Sequence, residues 1–313
     1  MSGRRQVTLA VGVLEYAQML VTAQQPTFRA HTELVNVNVS VVTSNAKPAV
    51  GLSEGQFEVF EDGVRQSLTF FASGDLPIDV VLLLDTSASM SESMPLVRNA
   101  ATRFVGTLRE TDRAAVMSIS GGLRVHHALS ADKQALTQAI ESTRAGGRTP
   151  LYSSVYTALR ELEKARRNYA TPRRQSIVVL SDGHDTASGF GFEELLESVR
   201  RHAVPIYVIA PRPPANLREQ REAVFGDATR QDDFELRKIA VETGGRAFFP
   251  VALHELSGVY SDIASELAHQ YSLGYQSSNP SHDGAFRRIA LRVAVPGVTW
   301  RARAGYVSER GEE

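Results

Sequence analysis

The sequence predicts an α/β protein. Its main body is a doubly wound, mostly parallel sheet with one antiparallel edge strand, and its two flanks add a small β module. Three observations carry this. Residues 80–84 are an unbroken apolar run ending in Asp85; with no polar residue to alternate, the run suits a strand covered on both faces, as parallel strands are. From Ile78 to about Pro250, strand-like runs alternate with segments whose apolar residues recur every three or four positions. Outside that region the apolar residues recur at every second position, the pattern of half-buried strands.

Arg4 and Arg5 precede the mildly apolar residues 7–14, and Val21, Thr22 and Ala23 offer a small-residue cleavage point. Residues 1–31 therefore read as a signal peptide and leader, and the protein as exported to the periplasm, cell surface or medium. Residues 32–74 form the N-terminal β flank. Leu34 to Val41 alternate, residues 57–64 read as a hairpin turning at Asp62 and Gly63, and residues 75–77 link onward. Residues 75–270 form the α/β domain. Strands are expected at 115–120, 123–129, 176–181, 204–210 and 246–249. Helices are expected at 94–108, 131–142, 151–167, 192–202 and 233–243, with a last amphipathic helix placing Leu253, Leu256, Tyr260, Ile263 and Leu267 on one side. Residues 271–313 form the C-terminal flank, which packs with 32–74. It has an alternating strand at 288–295, a turn at Pro296 and Gly297, and a second strand at 299–307.

Hydrophobic content of 42% and charged content of 22% are ordinary for a globular chain. A formal net charge of −1 gives no electrostatic support to a nucleic-acid partner. The absence of cysteine excludes disulfides, thiolate metal ligands and cysteine nucleophiles. No stretch reaches the ~18 apolar residues of a membrane span.

Asp85, Ser87 and Ser89 place oxygen donors at every second position just past the central strand. Ligands of open α/β sheets bind at such carboxyl ends, and one carboxylate with two hydroxyls suits a hard cation such as Mg²⁺. Strand direction adds to this. Gly121 and Gly122 turn the chain back, so the next helix runs up and delivers the loop containing Thr149 to the edge that carries Asp85. One helix and one strand later, Asp182 reaches the same edge.

Asp85-x-Ser87-x-Ser89, Thr149 within Gly146-Gly147-Arg148-Thr149-Pro150, and Asp182 after an apolar strand together resemble the metal-ion-dependent adhesion site of von Willebrand factor A (VWA) domains, a Rossmann-like fold. The flanks are similar to those of a bacterial VWA-related family common in acidobacteria. The resemblance implies that Ser87 and Ser89 bind Mg²⁺, Mn²⁺ or Ca²⁺ directly and Thr149 directly or through water. Asp85 and Asp182 would act mainly through water and orient the serines. It further implies an adhesion-type protein-binding module, not an enzyme, whose ion takes an acidic residue of a partner protein. The alternatives are a metal-dependent hydrolase, for which His184 beside Asp182 is the near candidate base, and a scaffold with a structural metal.

The remaining polar groups read as bland. Asp185 reads as a solvated loop carboxylate, His126 and His127 as structural or solvated, and Arg166, Arg167, Arg173 and Arg174 as a solvated helix end. Residues 211–232 read as a long rim loop with a short helix near 217–224.

Overall fold

The structure, a computed structural model, describes residues 34–74, 76–167, 171–181, 185–212 and 227–310. The leader, Asp182, His184 and the short helix expected near 217–224 lie outside the described residues.

The N-terminal flank contributes β1 (Leu34–Thr43), β2 (Phe57–Glu61), β3 (Val64–Gln66) and β4 (Leu68–Ser73). In β1, Val35, Val37, Val39 and Val41 are buried, as period-two alternation requires. The β2–β3 hairpin turns at Asp62 (φ 47°) and Gly63 (φ 86°), the pair of positive φ angles that a tight two-residue turn needs.

The α/β region contributes β5 (Ile78–Asp85), β6 (Arg113–Ile119), β7 (Leu123–Ser130), β8 (Arg174–Leu180), β9 (Ile206–Ile209) and β10 (Ala247–Phe248). They form one sheet in the order β10-β9-β8-β5-β6-β7. Every pairing is parallel except β6 with β7. Its helices are α1 (Met94–Thr107), α2 (Lys133–Glu141), α3 (Leu151–Arg167), α4 (Phe192–Arg201), α5 (Asp227–Thr243) and α6 (Leu256–Ala268). Residues of α1, α2 and α6 pack with Val80, Leu82 and Leu84 on one face. Residues of α3, α4 and α5 pack with Val81 and Leu83 on the other. Alternate residues of β5 thus enter different cores, which explains its lack of polar positions. Asp132 caps α2 by accepting from Gln134 N (2.9 Å) and Ala135 N (3.0 Å).

The chain finishes with β11 (Tyr271–Gln276), β12 (Phe286–Val293), β13 (Val298–Arg301) and β14 (Gly305–Val307). These join the N-terminal strands in two antiparallel sheets, β13-β1-β11-β4 and β14-β12-β2-β3. A common core of Val37, Val39, Phe57, Val59, Leu273, Tyr275 and Ile289 lies between them. One expectation fails here. The single strand foreseen at 299–307 is two strands, and β13 does not pair with β12 across Pro296 and Gly297. Instead β13 joins β1 and β14 joins β12. The chain crosses between the sheets at residues 302–304, where Ala304 N donates to Glu242 O at the end of α5.

Arg173 and Arg174 also depart from expectation. Arg173 Nε donates to Asp79 Oδ1 (2.7 Å), and Arg113 completes a three-group ion cluster on this fully buried aspartate. Arg174 is buried and donates to Gln270 O, Gly74 O and Leu76 O. Arg109 donates to the same Gly74 and Leu76 carbonyls (3.1 and 2.8 Å). These guanidiniums are bonded to the carbonyls of the connection between β4 and β5 rather than solvated. Arg167 is nearer to expectation, pairing with Glu163 one turn back on α3 (2.6 Å).

Asp112 completes this junction by accepting from Ile78 N, Arg109 N and the Arg109 guanidinium. Burial alone would raise its pKa, but these hydrogen bonds outweigh it and hold the group below 3.8. A depressed folded pKa adds stability that is complete above the unfolded value and is lost as pH falls through the folded one. Asp112→Asn is therefore expected to flatten the fall of the unfolding midpoint below about pH 4. Identical pH slopes in the two proteins would remove Asp112 from the acid response.

Candidate metal centre

Asp85 closes β5 and is fully buried. Its Oδ1 accepts from Ser87 N (2.8 Å) and its Oδ2 from Ser181 Oγ (2.6 Å). The first bond fixes the turn that follows the strand; the second ties it to the end of β8. Thr86 donates both its N and its Oγ1 to Ile119 O, fastening the same turn to β6. Ser87 then opens a single turn of 3₁₀ helix over Ala88–Met90. This brings Ser87 Oγ and Ser89 Oγ to 3.0 Å from each other. Ser87 is nearly buried and Ser89 is exposed, so the pair spans the boundary between sheet edge and solvent.

The loop before α3 is stitched onto this turn. Gly146 N donates to Thr86 O (2.7 Å), Ala88 N to Gly147 O (3.3 Å) and Gly121 N to Arg148 O (2.7 Å). These bonds bring Thr149, itself buried, to the edge that carries the serines. Thr149 is locked in turn by Thr186, whose N donates to Thr149 O and whose Oγ1 accepts from Thr149 N, both at 2.9 Å. Gly147 adopts φ 77°, and a Cβ there would stand 2.9 Å from Gly121 N. Gly147→Ala combines a disfavoured backbone angle with a clash against main chain, so it is expected to destabilise the protein by about 1–3 kcal/mol. Urea unfolding measures this, and an unchanged midpoint would show that the loop yields freely.

The structure thus places Asp85, Ser87, Ser89 and Thr149 on one edge, while Asp182 lies outside the described residues. Sequence reasoning missed Ser181 and Thr186, which brace the others from the β8 side. A small polar residue directly after an apolar strand next to β5 was the available signal for Ser181. Asp185 is not a solvated carboxylate. It accepts from Tyr152 N (3.0 Å) in the first turn of α3, and from Ser188 N and Oγ (3.0 and 2.5 Å). It therefore caps α3 from a neighbouring loop. His126 is structural, between Ser118 Oγ (2.8 Å) and Ser142 Oγ (3.1 Å), with its pKa lowered first by burial and then by Arg124.

Part of the expected rim loop, residues 227–232, is helical. α5 begins at Asp227 rather than near 233, and Gln231 Nε2 supports this earlier turn by donating to Glu235 Oε1 (2.6 Å). Glu235 accepts from Tyr152 OH, whose pKa is raised by burial and then by that carboxylate. Arg212 pairs with Asp233 and lies over the Phe249 ring.

The donor set passes a chemical test for a hard cation. Two hydroxyls meet at an exposed edge, and the nearby carboxylate is held inward by hydrogen bonds. Among the described residues, no three His, Asp or Glu side chains gather to hold a metal.

Residues 79–261, from the start of β5 into α6, match the von Willebrand factor type A domain. The chain belongs to this family. Over 233 residues it is 23% identical to a UPF0353 protein of Mycobacterium marinum, covering 69% of this chain and 68% of that protein. A von Willebrand factor type A structure from Catenulispora acidiphila superimposes with a TM-score of 0.50 at 14% identity, covering 90% of this chain and 76% of that one. Proximal thread matrix protein 1 of the mussel byssus superimposes with a TM-score of 0.49 at 16% identity; the match covers 63% of this chain and about half (49%) of that one. This VWA chain has a mostly parallel sheet over the matched residues, with antiparallel sheets from both flanks.

Proposed function

We propose that this VWA protein is an exported protein-binding module, not an enzyme. Its ion would be Mg²⁺, with Mn²⁺ or Ca²⁺ as substitutes. Ser87 and Ser89 would hold it directly, Thr149 directly or through water, and Asp85 and Asp182 mainly through water. The observation that carries the reading is the meeting of Ser87 Oγ and Ser89 Oγ at 3.0 Å on an exposed edge. Asp85, turned inward, shapes that edge without crowding it.

Hydroxyl ligands are neutral, and carboxylates acting through water compensate a divalent ion only partly. An Asp or Glu of a partner supplies the missing charge. By linkage, the partner then tightens the ion by the factor with which the ion tightens the partner. The hydrolase alternative requires a positioned base, and its candidate, His184, lies outside the described residues. No helix among the described residues is long and apolar enough to cross a membrane.

The test is a calorimetric titration of Mg²⁺ and Mn²⁺ into the wild type and Ser87→Ala, followed by partner capture in Mg²⁺ and in EDTA. Ion affinity that survives Ser87→Ala would sink the ligand assignment. A partner held equally well in EDTA would sink the bridging role.

A further inference from the structure

A cleft lies at the opposite end of the α/β region from the Asp85 edge. β1 is ten residues long, but β13 pairs only with its last four, Ser40 to Thr43. Over residues 34–39, β1 pairs with β11 alone, so its other edge is open among the described residues. That open edge borders a cleft of about 750 Å³ roofed by α3 and α4 and closed on the far side by residues just after β14. An unpaired strand edge presents main-chain donors and acceptors at every second residue, and an extended segment can satisfy them by joining the sheet.

Charge indicates what kind of segment fits. Arg160 and Arg166 on α3, and Arg310 after β14, line the cleft. The guanidinium of none of them makes a hydrogen bond or ion pair with a described residue. The carboxylates beside them are mostly engaged. Glu163 pairs with Arg167 (2.6 Å) and His202 (3.6 Å) and also lies in the field of Arg160, and Glu197 pairs with Arg201. Glu194, which among the described residues accepts only from Gly191 N (2.9 Å) at the start of α4, and Glu309 are the exposed acids that remain in the lining.

We propose that this cleft binds an extended, acidic segment of a partner protein, which adds as a strand to the open edge of β1 and places carboxylates against Arg160, Arg166 and Arg310. This site needs no metal, so it stands apart from the ion-carrying edge. Alternation decides the geometry: in a strand, every second side chain points the same way, so acids at alternate positions all project to one side of the added strand.

The experiment uses the full chain in EDTA, which silences the ion-carrying edge. The probes are a fluorescein-labelled peptide of about ten residues alternating valine with glutamate, and its valine–lysine counterpart. Fluorescence anisotropy should show the glutamate peptide binding and the lysine peptide failing. The double variant Arg160→Gln, Arg166→Gln, checked for unchanged circular dichroism, should bind at least about tenfold more weakly. Hydrogen exchange of the amides of residues 34–39 should slow in the complex. Equal binding of both peptides, undiminished binding by the double variant, or no binding up to about 1 mM would each overturn the proposal. So would binding that leaves exchange at residues 34–39 unaltered, or displacement of the peptide by heparin without that protection, because the cleft would then be a general polyanion site.

Discussion

Replacing Asp79 with alanine is expected to destabilise the protein by about 3–5 kcal/mol, the usual range when one member of a buried charge cluster is removed. Asp79 is fully buried at the start of β5 and faces Arg113 on β6 and Arg173 just before β8. Taking the carboxylate away leaves two cations pressed together in the lower end of the sheet, with exposures of only 23% and 13% to solvate them. Asp79→Asn should cost less, because the amide oxygen can still accept one bond from each side. Urea unfolding of the two variants provides the comparison. If alanine and asparagine proved equally mild, the cluster would be an arrangement of convenience rather than a support for the sheet.

Asp85→Ala is expected to remove divalent-ion binding and to lower stability by about 2–4 kcal/mol, since it strands two buried donors, Ser87 N and Ser181 Oγ, at once. Ser181→Ala separates the two effects. It removes one bond to the carboxylate but keeps the bond that shapes the turn. Its ion affinity should therefore fall far less than that of Asp85→Ala. Calorimetry with Mg²⁺ and denaturant unfolding on the same three proteins gives both readouts. Retention of ion binding in Asp85→Ala would disconnect the turn at the end of β5 from the proposed ion.

Much of the α/β architecture was legible because its signals are local. The apolar run 80–84 admits few readings other than a strand with two covered faces. The glycines at 121 and 122 reverse the chain, and from that reversal the direction of each later element follows. Direction counting was enough to bring Thr149 to the Asp85 edge, and the bonds from Gly146 N to Thr86 O and from Ala88 N to Gly147 O show how closely the loops are joined. What stayed hidden depends on contacts distant in sequence. Nothing in the string Arg173-Arg174 reveals that the Gly74 and Leu76 carbonyls lie within reach, a hundred residues earlier. Asp185 looked solvated because the partner that gives it a role, the first turn of α3, lies 33 positions upstream. The split of residues 298–307 into β13 and β14 was illegible for a related reason. Alternation marks a strand but does not name its neighbour, and here consecutive segments belong to different sheets.

The place where the α/β region is spliced into the flanks has a mechanical meaning. β4 ends at Ser73 and β11 begins at Tyr271, and these two residues face each other in one antiparallel ladder. Any tension drawn through the α/β region therefore reaches the sandwich at two adjacent chain ends, both pulled from the same side. A load that draws these two ends apart peels the ladder open one bond at a time, whereas a load along the strands would have to break many bonds together. Arg174 sits at the point where peeling would begin. One arm of its guanidinium holds Gln270 O on the returning chain, and the other holds Gly74 O and Leu76 O on the outgoing chain. It acts as a cross-tie between the two, so the first event under force is the loss of that tie rather than the rupture of the sheet.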